Sequence, residues 1–102
     1  MQVVFQPAAR LDVVEIYQYY LDQGVPAIAE RFLSAIECAA ENLGAMPLAG
    51  SPKFFGSPAL NGLRTWPITG FRELRLYYLP SPDQVAVIRV LHDKRSIASI
   101  LG

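Results

Sequence analysis

The run Phe71-Arg72-Glu73-Leu74-Arg75-Leu76-Tyr77-Tyr78-Leu79-Pro80-Ser81-Pro82-Asp83-Gln84-Val85-Ala86-Val87-Ile88-Arg89-Val90-Leu91-His92 decides the fold. On its first limb, Arg72, Leu74, Leu76 and Tyr78 share one parity, and Phe71, Glu73, Arg75, Tyr77 and Leu79 the other. That period of two predicts a strand over 71–79. Pro80-Ser81-Pro82-Asp83 is built of turn formers and closes a hairpin. The second limb, Val85–Leu91, is apolar on both parities except at Arg89, the pattern of a central strand covered on two sides. A charge on such a strand is costly unless it is paired or faces a cleft. Arg89 therefore needs a carboxylate from another element or an opening, and His92 is placed to close the strand end with a hydrogen bond.

Upstream, Leu63–Ile68 reads as a third strand, with Pro67 marking an edge or a bulge because it cannot donate to a ladder. The three strands form an antiparallel meander. Gly44 to Gly62 is a crossover punctuated by Gly and Pro and anchored by Lys53-Phe54-Phe55, long enough to hold a turn or a short strand. Gln2–Phe5 is a first short strand ended by Pro7. Leu11, Val14, Tyr17 and Leu21 then mark one helical face, which Val13, Ile16 and Tyr20 widen. Gly24 suits the C-cap. Pro26 opens a second helix carrying Val25, Ile28, Ala29, Phe32, Ile36, Ala39, Ala40 and Leu43 at helical spacing, stopped by Gly44 and Pro47. So short a connection makes the two helices neighbours in a hairpin. Cys38 reads as a small core residue. Asp93 caps a last short helix over 94–101. The expected fold class is α+β: one domain, with a small antiparallel sheet of the N-terminal strand and the C-terminal meander, packed on the helical hairpin. The opposite sheet face is left free and carries alternating Arg and aromatic residues.

At 102 residues there is room for one domain, and 52% hydrophobic with 18% charged residues excludes a disordered chain. Nine cations balance nine carboxylates, but unevenly along the chain. Arg10 and Arg31 face Asp12, Glu15, Asp22, Glu30, Glu37 and Glu41 in the first half. Lys53, Arg64, Arg72, Arg75, Arg89, Lys94 and Arg95 face Glu73, Asp83 and Asp93 in the second. The helical carboxylates are expected to solvate the outer faces of the hairpin. Arg-rich surfaces suit bidentate recognition of carboxylate or phosphate. One cysteine and one histidine allow neither a disulfide nor a Cys- or His-pair metal site, so no metal and no cofactor is expected. No signal peptide or membrane span is visible, which points to a cytoplasmic protein with no membrane partner. There is no phosphate-binding Gly loop and no nucleophile elbow.

Several motifs recur together: Ile16-Tyr17-x-Tyr19-Tyr20, Pro26-x-x-Ala29-x-x-Phe32, Met46-Pro47-x-x-Gly50, Gly62-Leu63-Arg64-x-x-Pro67, Arg75-Leu76-x-Tyr78 and Arg89-Val90-Leu91-His92-x-x-Arg95. Over nearly its whole length the chain resembles the ParE branch of the RelE/ParE toxin superfamily of bacterial toxin–antitoxin modules. The resemblance implies a sheet flanked by the helical hairpin, a cognate antitoxin (ParD-like or other) and a non-hydrolytic poison of DNA gyrase. It places Arg64, Arg75, Arg89, His92 and Arg95 against the target, with Asp93 orienting Arg95. Tyr17, Tyr20, Phe32 and Tyr77 are assigned to the antitoxin. The alternative is a RelE-like, metal-independent endoribonuclease acting on messenger RNA in the ribosome, with Arg64, Arg72, Arg89 and His92 as its catalytic set. No tyrosine follows Tyr78, which favours the gyrase poison. A third reading is an inert scaffold that keeps the fold alone.

Overall fold

The structure, a computed structural model, describes residues 1–53 and 61–92. The chain begins with β1 (Gln2–Phe5), followed by α1 (Pro7–Asp22) and α2 (Pro26–Ala45). Then come β2 (Ser51–Pro52), β3 (Arg64–Ile68), β4 (Phe71–Pro80) and β5 (Gln84–His92). Both helices start on proline, where the missing N–H is harmless and the fixed φ is already helical. Gly24, at φ +75°, turns the chain between them. The expected Phe54–Phe55 anchor, the helix over 94–101, Asp93 and Arg95 lie outside the described residues.

The sheet order is β1-β5-β4-β3-β2. The α+β architecture and the meander β3-β4-β5 are as the sequence predicts, and the crossover does contain a short strand, β2. One pairing departs from the all-antiparallel expectation. β1 lies parallel to β5, from Gln2 opposite Gln84 to Phe5 opposite Val87, so the sheet is mixed. Pro67 sits at a register shift in β3, the bulge its missing N–H requires.

The helices cover one sheet face. Phe32, Ile36, Ala39 and Leu43 of α2 meet Ile68, Leu74, Leu76, Tyr78, Val85, Val87 and Val90 of the sheet. From α1 the inward residues are Ala9, Val13, Ile16 and Tyr20, spaced by four, three and four. This corrects the expected stripe: Leu11 and Val14 are 57% and 60% exposed. Cys38 is likewise exposed rather than in the core. On the helical wheel it lies about 100° round from Ala39 and about 160° from Ile36, off the face that meets the sheet. The second sheet face is not free either, since Leu63, Tyr77 and Leu91 are buried there with Leu79 and Ile88 beside them.

Leu76→Ala should lower stability by about 2–5 kcal/mol, the cost of a fully buried leucine. Leu11→Ala should change it by less than about 0.5 kcal/mol. Urea denaturation of the two variants side by side checks the facing of β4 and α1 together.

Candidate functional site

Two polar nodes hold the two ends of this sheet. The first forms where β1 stops. Gln6 N–H donates to the Val87 carbonyl at 2.9 Å, and beyond it the edge of β5 has no strand neighbour among the described residues. Asp12, one and a half turns into α1, fills the place. Its Oδ2 accepts the Val90 N–H at 2.9 Å and the Arg89 Nε–H at 2.7 Å, while Oδ1 accepts Arg89 Nη2–H at 2.8 Å. Hydrogen bonding to Asp12 holds the Arg89 guanidinium above its ordinary pKa. The Asp12 and Glu15 charges act the same way, against the lowering effect of burial. Asp12 is 7% exposed, so it does not solvate the hairpin as the sequence reading expected of the helical carboxylates. It is the partner that Arg89 requires.

The second node forms from three motif pieces distant in sequence. The buried Tyr78 hydroxyl accepts the Gly50 N–H at 2.9 Å. Arg64 Nη1 donates to the Gly50 and Leu48 carbonyls at 2.7 and 3.1 Å. A Cβ on residue 50 would collide with the Tyr78 ring and with the Thr65 carbonyl at 2.6 Å, so only glycine lets the chain pass.

Between the first node and the helical hairpin lies an open cleft of about 1040 Å³. Tyr19 and Tyr20 of α1, Arg31 of α2, Arg72 and Glu73 of β4 and His92 of β5 line it, with Asp12 and Glu15 at its side. His92 Nε2 stands 2.8 Å from Glu73 Oε2, the strand-closing hydrogen bond expected of it. Among the described residues, no three His, Cys, Asp or Glu side chains are grouped to hold a metal ion. No described helix is long and apolar enough to cross a membrane.

Of the four residues named for a ribonuclease, only Arg72 and His92 share the cleft. Arg89 is turned to Asp12. Arg64 sits opposite Tyr78, four residues along β4 from the partner of His92, about 13 Å away. Arg75 is half-buried and lies on the other sheet face, opposite Leu91. The antitoxin-contact set also divides. Phe32 and Tyr77 are 0% and 3% exposed, one in each core, and so present nothing to a partner in this conformation. Tyr20 is half-buried between Phe32 and Phe71. Tyr17 donates to Glu30 Oε1 at 2.9 Å, which pins α1 to α2 and raises its pKa. The large apolar residues that α1 does expose are Leu11, Val14 and Tyr19. The sequence reading missed Asp12 because one acid among six on the hairpin carries no mark of burial.

Residues 3–97 match the family described as the ParE toxin of the type II toxin–antitoxin system parDE. The chain belongs to the ParE toxin family. Two solved structures share its fold. One, from the chromosomal ParDE toxin–antitoxin system of P. aeruginosa, is 17% identical with a TM-score of 0.72, over 90% of this chain and 95% of that one. The other, a YoeB/ParE toxin from Agrobacterium tumefaciens, is 22% identical with a TM-score of 0.57, over 90% and 98%. No curated protein matches the chain in sequence. In this ParE-family chain, Gly50, Arg64, Tyr78 and Arg89 of the recurring motifs are engaged in holding the sheet.

Two expectations follow from the nodes. Asp12→Ala should cost about 3 kcal/mol in a urea melt, because it leaves Arg89 uncompensated and the Val90 N–H unpaired. The figure sits at the low end for a buried pair, since the Arg89 side chain keeps 24% exposure. At the other node, burial raises the Tyr78 pKa, against the lowering influence of the Gly50 N–H and Arg64. The native state then holds this proton to higher pH than the unfolded chain does. Its stability contribution is complete below the ordinary value of 10.0 and is lost as pH rises past it. Tyr78→Phe should flatten that alkaline fall in urea midpoints, leaving the shares of Tyr20, which burial also raises, and of Tyr17, which its bond to Glu30 raises.

Proposed function

We propose that this chain is the toxin of a type II module that poisons DNA gyrase through protein–protein contact and is silenced by a cognate antitoxin. The observation that carries the reading is how the arginines are used. A phosphodiester-cleaving site needs cations aimed at one scissile phosphate beside an acid–base pair. Here Arg64 is spent on two backbone carbonyls and Arg89 on a carboxylate. Family membership supports the antitoxin, and a bound antitoxin would stabilise the toxin by mass action. The exposed Leu11, Val14 and Tyr19 on α1 supply apolar area for it.

One observation favours the ribonuclease alternative: Arg72, Glu73 and His92 do meet in the cleft. The two readings separate in a gyrase cleavage assay with the purified chain, scoring linear plasmid after detergent and protease. The expected result is accumulated linear DNA, lost in Arg95→Ala, which changes the last cation of the Arg89-Val90-Leu91-His92-x-x-Arg95 motif. Absence of linear DNA, with messenger RNA cut on ribosomes instead, would replace the proposal with the alternative. If both assays are silent, the chain is an inert scaffold.

A further inference from the structure

β5 carries one more residue than β4 between the pairs Tyr78–Val87 and Tyr77–Arg89. That residue, Ile88, inverts the alternation of all that follows. Before it, Val85 and Val87 face the helices. After it, Val90 and His92 do so, opposite Leu76 and Leu74. A straight strand would continue instead as Tyr77–Ile88, Leu76–Arg89, Arg75–Val90, Leu74–Leu91 and Glu73–His92. Arg89 and Leu91 would then face the helices, and Val90 and His92 the opposite side.

The apolar pattern does not choose between these two registers. Leu91 fills a core position as readily as Val90, and the far face already buries Leu63 and Tyr77. What separates them is charge. In the straight register the Arg89 guanidinium would stand opposite Leu76, which is fully buried, where an unpaired cation is strongly disfavoured. In the bulged register it reaches Asp12 over the open edge of β5. The same carboxylate takes the Val90 N–H, which has no strand partner among the described residues.

We propose that the Asp12–Arg89 pair specifies register: it selects the bulged form of β5 and so delivers His92 to the cleft, making Asp12 a positioning residue. Its functional consequence rests on the reading that puts the His92 end of the sheet against the target; its structural content does not. Replacing both members of a buried ion pair by apolar residues is often neutral or stabilising, whereas removing one is costly. The double variant Asp12→Ala/Arg89→Leu therefore folds, and nothing then disfavours the straight strand.

The test is cross-strand NOE mapping of this variant by NMR. His92 is the sole histidine, so its ring signals are identified without ambiguity. The expected result is loss of the Leu76–Val90 and Leu74–His92 contacts and appearance of Arg75–Val90 and Leu74–Leu91, with a urea midpoint no lower than that of the parent. Asp12→Asn/Arg89→Val, which keeps a polar group on α1 and a β-branched residue on β5, should give the same pattern. The parent contacts persisting in either folded variant would overturn the proposal. So would failure of both variants to fold, since the pair would then stabilise rather than specify. Growth arrest on expression reads the functional half separately. Its loss in a folded, register-shifted variant supports both claims. Its persistence there leaves the register proposal supported and removes the His92 end from the target surface.

Discussion

β1 is four residues long and β5 is nine, so among the described residues more than half of one edge of β5 has no strand beside it. Backbone donors on such an edge must find another partner or face water. In this chain the helix that follows β1 runs alongside the vacant edge and sets a carboxylate there. Asp12 thereby satisfies a backbone N–H and an arginine with the same two oxygens. In a poorly hydrated place such bonds are strong, and leaving any member unpaired is costly. The same contacts tie α1 to the stretch of β5 that follows its bulge.

The opposite end of the sheet is held by different means. Gly50, Arg64 and Tyr78 come from three separate motif pieces, and they meet because only glycine leaves space for the chain beside the phenol. The two nodes together absorb Arg64, Tyr78 and Arg89 of the motif residues. Those motif residues serve the scaffold. Arg72, Glu73 and His92 are set around the cleft, and Leu11, Val14 and Tyr19 of α1 are exposed.

Much of this was legible in the sequence where a short period met a strong punctuation mark. The parity of β4, the turn at Pro80–Asp83, the two proline-led helices and the Pro67 irregularity all have local causes. The facing of α1 did not. Its apolar residues nearly encircle the helix, so Leu11-Val14-Tyr17-Leu21 and Ala9-Val13-Ile16-Tyr20 are both credible stripes. The correct one contains small Ala9 and charged Asp12, which disguise it. Arg89 announced that it needed a partner, yet no local rule says which of six helical acids supplies it. The parallel β1–β5 pairing and the Ile88 bulge are features of tertiary assembly too, and neither leaves a mark in the hydrophobic pattern of Val85–Leu91.

The most direct measurement is amide hydrogen exchange at Val90 in the unmodified chain. This donor lies beyond the end of β1, and its partner among the described residues is the Asp12 carboxylate. The account predicts exchange as slow as at the ladder amides of β4, through the globally unfolded state. Rapid exchange at Val90, with those ladder amides still protected, would mean that Asp12 does not hold the strand and would contradict the central claim.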